Sequence, residues 1–241
     1  MENDSNKLND VIEETKEYYR QRAQQYSDWT HWTGNIDGQG SQPNESFYAE
    51  GRMLMEIFEK TKISGDVLEI ACGTGILTET LVKSANSVTA LDSSGEMIER
   101  CRARLRGNPK ARFVQADFYE WVPDRRYDTV AFSFWISHVP SSKLDQVVSK
   151  VSQSLKPGGR VFFVDQLDSG RKDETMDRQG GEIVTRILDD GREFKIFKHF
   201  YSLDEIKKCF ARNGIQTKIS VTPTHFFFVS GKKDSVEKQT V

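Results

Sequence analysis

Four titratable residues and one glycine turn stand where this chain could do chemistry: Glu69, Gly73-Thr74-Gly75, Asp92, Asp117 and His138. Glu69 interrupts the apolar run of "VLEIACGTG", and a carboxylate in a buried strand is costly unless a cation or hydrogen-bond donor meets it. The turn is not a dinucleotide fingerprint, because Thr78 stands where the third glycine belongs. It is not a phosphate-binding P-loop either, since no Gly-Lys-Ser/Thr follows. Two glycines behind an acid suit a ligand with an amine to neutralise and no phosphate to cradle. Asp92, about twenty residues past the turn, is placed to accept from two vicinal hydroxyls; the alternative is an N-cap for a helix starting near Gly95. Asp117 with Phe118 offers a hydrogen bond and an apolar wall to the edge of a base, or merely ends a strand. His138, in "FSFWISHVP", is a candidate general base that must be unprotonated, with a reference pKa near 6.5. Its alternative role is to shape the loop or cap the helix after Pro140.

The elements that must position these residues alternate along the chain. Leu8, Val11, Ile12, Thr15, Tyr18, Tyr19, Arg22 and Tyr26 share one face of an N-terminal helix. The stretch "SDWTHWTGNIDGQGSQPN" keeps no period and reads as a mobile loop, and helical spacing resumes over 47–60. Strands at 66–71, 87–92, 111–116, 127–135 and 160–166 alternate with helices at 75–84, 94–105 and 142–155. Apolar runs such as "TVAFSFW" lack in-out alternation, as in strands covered on both faces, so the fold class is a doubly wound α/β sheet. Residues 168–181 read as a polar insertion, followed by a hairpin with a two-residue Asp190-Gly191 turn, both at positive φ. A helix at 203–213 starts on a Ser202/Glu205 capping box and stops at Gly214. The strands "TKISV" and "HFFFVSG" close the fold. The organisation expected is a helical cap and aromatic loop over 1–60, one domain over 61–230 with the substrate-region insertion and hairpin at 168–200, and a disordered charged tail over 231–241.

Four motifs, in order and at fitting distances, resemble those of the class I S-adenosylmethionine-dependent methyltransferases from Val67 to Gln166, with further agreement near the C-terminus. "VLEIACGTG" looks like that superfamily's first motif, "ALDSS" like its ribose-binding acid, "VQADF" like its adenine contact and "LKPGGRVFFVD" like its fifth-strand entry. The resemblance implies a Rossmann-like, mostly parallel seven-stranded sheet and S-adenosyl-L-methionine as cofactor, a ligand with an adenosine, a sulfonium and an amino acid end. Carried over residue by residue, it implies cofactor contacts at Glu69, Ala71, Gly73, Gly75, Asp92, Ser93, Met97, Asp117, Phe118 and Ser133, with Met97 also a helix-core candidate. In similar small-molecule enzymes the N-terminal helix and loop close over the cofactor. That assigns Tyr18, Arg22 and Tyr26 to its methionine end and leaves Tyr19 to helix-face burial. Trp29, Trp32 and His31 fall in the aromatic loop, as cap residues or substrate contacts. The 182–200 hairpin occupies the substrate-recognition region, where Arg186, Arg192 and Lys195 meet an anionic group or form a solvated face. His199 and His225 suit sheet-core or surface roles.

Composition removes other classes. With 34 Lys and Arg against 36 Asp and Glu, net charge is −2, and no basic stripe with interleaved aromatics invites nucleic acid. "FSFWISHVP" also lacks the Asn-Pro-Pro-aromatic tetrad of nucleic-acid and protein-amide methylators. No run approaches a membrane span, and "MENDSNKLND" has no apolar signal core, so a cytoplasmic protein without membrane partners is expected. Cys72, Cys101 and Cys209 lack metal spacing and read as reduced, small apolar residues, with no disulfide or metal expected. The expected function is transfer of a methyl group to a small-molecule acceptor, at oxygen or nitrogen; the alternative is a catalytically silent cofactor-binding subunit of a partner enzyme. A nicotinamide oxidoreductase founders on Thr78.

Overall fold

A computed structural model describes residues 2–23, 45–61, 63–168, 183–188 and 190–235, with side chains of the first helix from residue 8 onward. Helices α1 (Glu2–Arg22) and α2 (Glu45–Thr61) precede an alternation of β1 (Asp66–Ile70), α3 (Ile76–Ser84), β2 (Ser87–Asp92), α4 (Gly95–Leu105) and β3 (Ala111–Gln115). β4 (Tyr127–Ser133), α5 (Leu144–Ser154), β5 (Leu155–Gln166), β6 (Ile183–Ile187), β7 (Glu193–Phe197), α6 (Leu203–Arg212), β8 (Ile215–Val221) and β9 (Phe226–Lys233) follow. The aromatic loop, with Tyr26, Trp29, His31 and Trp32, lies outside the described residues, as does most of the 168–181 insertion. Among the described residues no helix is long and apolar enough to cross a membrane.

Seven strands form one sheet in the order β3-β2-β1-β4-β5-β9-β8. The first five are parallel, and β9 runs antiparallel between β5 and β8. The apolar runs serve two cores because successive side chains point to opposite faces. Leu68, Ile70, Val130, Phe132 and Phe163 pack with α5 and α6 on one face; Val67, Ala131, Phe162 and Val164 pack with α2, α3 and α4 on the other. All three cysteines are free and buried. Connectivity reverses between β1 and β4, and such a switch point opens a crevice at the strands' carboxyl ends.

The structure moves several boundaries. β5 starts at Leu155, because Leu155 pairs with Tyr127 before a register shift lets the ladder resume at Arg160. β4 stops at Ser133, where Phe134 turns to φ +53°. The hairpin turn is longer than two residues: the Leu188 N–H bonds the Arg192 carbonyl, and Gly191 takes φ +85°. β9 runs to Lys233, so Gly231–Lys233 belong to the sheet and not to a tail. The Ser202/Glu205 capping box forms as read.

The β6–β7 hairpin stands apart as its own two-stranded sheet, and α1 closes its edge. Glu14 Oε1 accepts from the Lys195 N–H at 2.6 Å and Thr15 Oγ1 from the Phe197 N–H at 2.9 Å. α2 is pinned to the β8–β9 turn through Glu50, which accepts from the Thr222 hydroxyl and the His225 N–H.

Candidate active site

A cavity of about 190 Å³ lies over the carboxyl ends of β1, β2, β3 and β4, roofed by α1 and flanked by α2. Ala71, Gly73, Asp92, Ser93, Met97, Asp117, Phe118, Ser133 and His138 all line it. Ala71 and Phe134, also lining residues, sit in the left-handed region at φ +52° and +53°. Side chains rarely adopt this conformation outside turns and functional sites.

Asp92 is not the helix cap. Ser94 holds that position, its hydroxyl accepting from the Met97 N–H at 3.2 Å. The Asp92 carboxylate accepts from the N–H groups of Gly73 and Ser94, each at 2.9 Å, and so ties the glycine turn to the end of β2. Burial outweighs these bonds and raises its pKa above the ordinary aspartate value. Asp117 accepts from the Tyr119 N–H at 2.9 Å and from Lys16 Nζ at 2.6 Å. Burial pulls the Lys16 ammonium down, but Asp117 and Glu13 prevail and hold it above its ordinary value.

The two glycines divide their labour. A Cβ on Gly73 would meet nothing within 4 Å, so its backbone faces open space in the cavity wall. A Cβ on Gly75 would lie 2.7 Å from Cys101 Sγ. Gly75 therefore lets α3 approach α4 and does not line the cavity, which corrects its expected cofactor contact. Glu69 lies beneath the turn, 1% exposed, also outside the lining. Burial raises its pKa well above the usual carboxylate range, and Oε2 has no hydrogen-bond partner among the described residues. An orphaned buried carboxylate oxygen below an open glycine backbone, with Asp92 and Asp117 along the same edge, fits a ligand combining an ammonium, vicinal hydroxyls and an adenine.

Two N-terminal expectations fail. Tyr18 is fully buried against Val184, Leu188 and Ile196, and Arg22 donates to its hydroxyl at 3.0 Å; neither lines the cavity. Ile12, Thr15, Lys16 and Tyr19 line it instead. Ile12, Lys16 and Tyr19 occupy the stripe of α1 next to the one that carries Val11, Tyr18 and Arg22, with Thr15 bordering both, and only the docking of α1 on the hairpin decides which stripe faces the site. Lys16 carried no signal in the sequence beyond lying on a helix.

His138 ends a short 3₁₀ turn (Ile136–His138) past β4. Its Nδ1 lies 2.6 Å from the Phe197 carbonyl oxygen and its Nε2 2.8 Å from the Tyr19 hydroxyl. A carbonyl can only accept, so Nδ1 carries the hydrogen and Nε2 presents its lone pair to Tyr19. Burial, then the nearby cations Lys198, Arg186 and Arg22, push its pKa well below the ordinary histidine value. The imidazole is thus held neutral, and titration near 6.5 is not to be expected. His199 and His225 sit elsewhere: the first bonds Ser137 through its backbone, the second meets Ser46 at 2.9 Å.

A family profile described as a methyltransferase domain matches residues 67–159. An uncharacterized methyltransferase, GK2543, of Geobacillus kaustophilus (strain HTA426) is 26% identical over 188 residues, 77% of this chain and 84% of that protein. The ubiquinone biosynthesis O-methyltransferase of Cronobacter sakazakii is 33% identical over 128 residues, 52% of this chain and 51% of that protein. Among solved structures, the DhpI-SAM-HEP complex superposes with a TM-score of 0.75 at 33% identity, covering 92% of this chain and 97% of that one. The DhpI-SAH complex gives 0.74 at 31%, covering 94% and 98%. Identity above 30% along nearly a whole chain, with the acids and glycines of the four motifs in place, leaves one conclusion: this chain belongs to the class I S-adenosylmethionine-dependent methyltransferases and uses that cofactor.

Proposed function

We propose that the chain methylates a hydroxyl oxygen of a small molecule, with His138 as general base and Tyr19 bridging it to the acceptor. The observation that carries this reading is the tautomer enforced by Phe197: a neutral imidazole aims its Nε2 lone pair at the wall of the cofactor cavity. S-Adenosylmethionine, when bound, supplies an activated methyl group whose sulfur leaves as a neutral thioether. Asp92 takes the ribose hydroxyls, Asp117 and Phe118 the adenine, and Glu69 the charge of the amino acid end, its orphaned oxygen gaining the cationic partner it lacks. The acceptor hydroxyl gives up its proton to Tyr19 as the Tyr19 hydroxyl gives its own to His138. Aligning the two reactants is the other contribution, about 7–11 kcal/mol where orientation is good. Helix α1 and the hairpin act as the cap that excludes water, and Ser133 and Met97 shape the cofactor wall.

An amine acceptor would need the same alignment and no base, and the preformed base favours oxygen over nitrogen. The test is to incubate the protein with the cofactor and a library of small alcohols, phenols and amines, and to read mass gains of one methyl group. Methylation of alcohols or phenols supports the reading. Methylation confined to amines would move the chemistry to nitrogen, and cofactor binding without any small acceptor would remove it.

A further inference from the structure

The glycine turn is gripped from two sides by side chains of opposite charge. The Asp92 carboxylate accepts from the Gly73 N–H at 2.9 Å, and Arg104 Nε, on α4, donates to the Thr74 carbonyl at 2.9 Å. Glu79 of α3 steadies the guanidinium, its Oε2 accepting from Arg104 Nη1 at 3.4 Å. Asp92 lines the cofactor cavity; Arg104 does not. The chain between them needs holding, because Ala71 sits at φ +52° beside Gly73 at +54° and Gly75 at +85°. An alanine keeps such a conformation only where its surroundings over-determine it.

Thr74 also carries an unanswered group. It is 5% exposed, it lines the cavity, and its Oγ1 has no hydrogen-bond partner among the described residues. Buried hydroxyls are ordinarily bonded, as those of Thr15 and Thr222 are in this chain. Thr74 leads into α3, whose first residues, Ile76 and Leu77, line the cavity too and whose N-terminus has no side-chain cap. The positive end of a helix dipole favours negative charge, whereas the orphaned Glu69 oxygen beneath the turn favours positive charge. An amino acid group is thereby sorted, its ammonium toward Glu69 and its carboxylate toward Thr74.

Resting on the assignment of the cofactor's amino acid end to this turn, we propose that Arg104 is a positioning residue for cofactor recognition: by holding the Thr74 carbonyl toward α4, it leaves the Thr74 hydroxyl to donate to the cofactor carboxylate. The planar peptide between Thr74 and Gly75 is the lever. Released from Arg104, the carbonyl oxygen is free to turn toward the cavity, where its partial negative charge repels the carboxylate. Arg104 itself touches no ligand.

The experiment measures, by calorimetry and without acceptor, the binding of S-adenosylmethionine, its decarboxylated form, and methylthioadenosine, which lacks the amino acid end. The native chain should hold S-adenosylmethionine about ten-fold or more tighter than the decarboxylated form, as expected for a hydrogen bond to a charged group. Arg104→Gln and Thr74→Val should each erase most of that preference while binding the decarboxylated form nearly as well as the native chain does. Arg104→Lys, which keeps a donor but not the planar fork, should restore part of it. The double variant should lose no more than either single one, because both act on one hydroxyl. Arg104→Gln weakening both ligands alike would mark a merely structural contact and overturn the proposal, and so would a preference that survives Thr74→Val. Should Arg104→Gln not fold, Arg104→Lys decides in its place, an undiminished preference ending the proposal. If the native chain binds S-adenosylmethionine and its decarboxylated form equally, both tighter than methylthioadenosine, this inference ends and the ammonium stays with Glu69. All three bound alike removes the amino acid end from the turn as well.

Discussion

The Tyr19 hydroxyl sits 2.8 Å from His138 Nε2, joining the cap helix to the far end of β4 across 119 positions of sequence. Removing the pair is the most direct test of the proposed base. His138→Ala should lower single-turnover rates by roughly 10²–10⁴-fold, the usual contribution of general acid-base catalysis, with cofactor affinity nearly unchanged. Tyr19→Phe should lose a comparable amount, because the proton reaches His138 only through the Tyr19 hydroxyl. Native rates should be flat from about pH 6.5 upward and fall only in acid, since burial and Lys198, Arg186 and Arg22 depress the imidazole. Rates measured from pH 5 to 9 on the three proteins decide it: an indifferent His138→Ala leaves alignment as the whole mechanism.

Stability should carry the same signature. A histidine whose folded pKa is depressed binds fewer protons in the native state than in the unfolded one. Between its folded value and about 6.5 the unfolded chain is therefore favoured by acid, and stability rises with pH through that window. His138→Gln, which cannot titrate, should lose less stability than the native chain on acidification below about pH 6.5. Thermal midpoints of both proteins between pH 4.5 and 8 give the difference; parallel curves would show an imidazole with no special environment.

Glu69→Gln should separate stability from binding. The carboxylate is buried with one oxygen unpartnered, and its pKa is raised well above the usual range. Removing the charge should raise the melting temperature of the cofactor-free chain at pH 8, where an ionised Glu69 is least welcome. Cofactor affinity should fall by about 1.5–3 kcal/mol, the range for hydrogen bonds to a charged group. Asp92→Ala should lose a similar amount of affinity and also loosen the turn, because Gly73 and Ser94 donate to its carboxylate. Calorimetry with the demethylated cofactor, beside thermal melts, reads both.

The turn glycines should fail differently. Gly73→Val puts a branched side chain at φ +54° into the cavity wall, so binding is lost with a modest fall in stability. Gly75→Ala drives a methyl group into Cys101, 2.7 Å away, at φ +85°. Overpacking of this kind destabilises by about 1–3 kcal/mol. Cys101→Ala should recover part of the Gly75→Ala loss, and a double variant no more stable than Gly75→Ala would show that the helix contact is not the cause.

The layered sheet could be read from sequence because period and punctuation are local: β2 and the Ser202 cap fall where the residues put them. So do the positions of Asp92, Asp117 and His138, since each ends a strand or its following turn at the edge where connectivity reverses. Gly75 misled because a ligand-lining glycine and a packing glycine look alike until Cys101 is seen opposite. Tyr18 and Tyr19 were exchanged for a similar reason. They are neighbours on one apolar flank of α1, and the hairpin, distant in sequence, selects between them. The left-handed Ala71 and Phe134 leave no trace in composition, for nothing about an alanine or a phenylalanine announces positive φ.

The two backbone hydrogen bonds that Glu14 and Thr15 take from β7 have a kinetic consequence. A two-stranded hairpin is marginal by itself, and here α1 side chains complete its edge, so helix and hairpin are one body. Any opening of the cap should therefore move helix and hairpin together, parting Lys16 from Asp117, Tyr19 from His138 and His138 from the Phe197 carbonyl in the same event. Such collective openings run on microseconds to milliseconds and commonly set the pace of turnover. The amides of Lys195 and Phe197 then become reporters of the gate, exchanging with solvent at the rate of opening and slowing together when the cap is held shut.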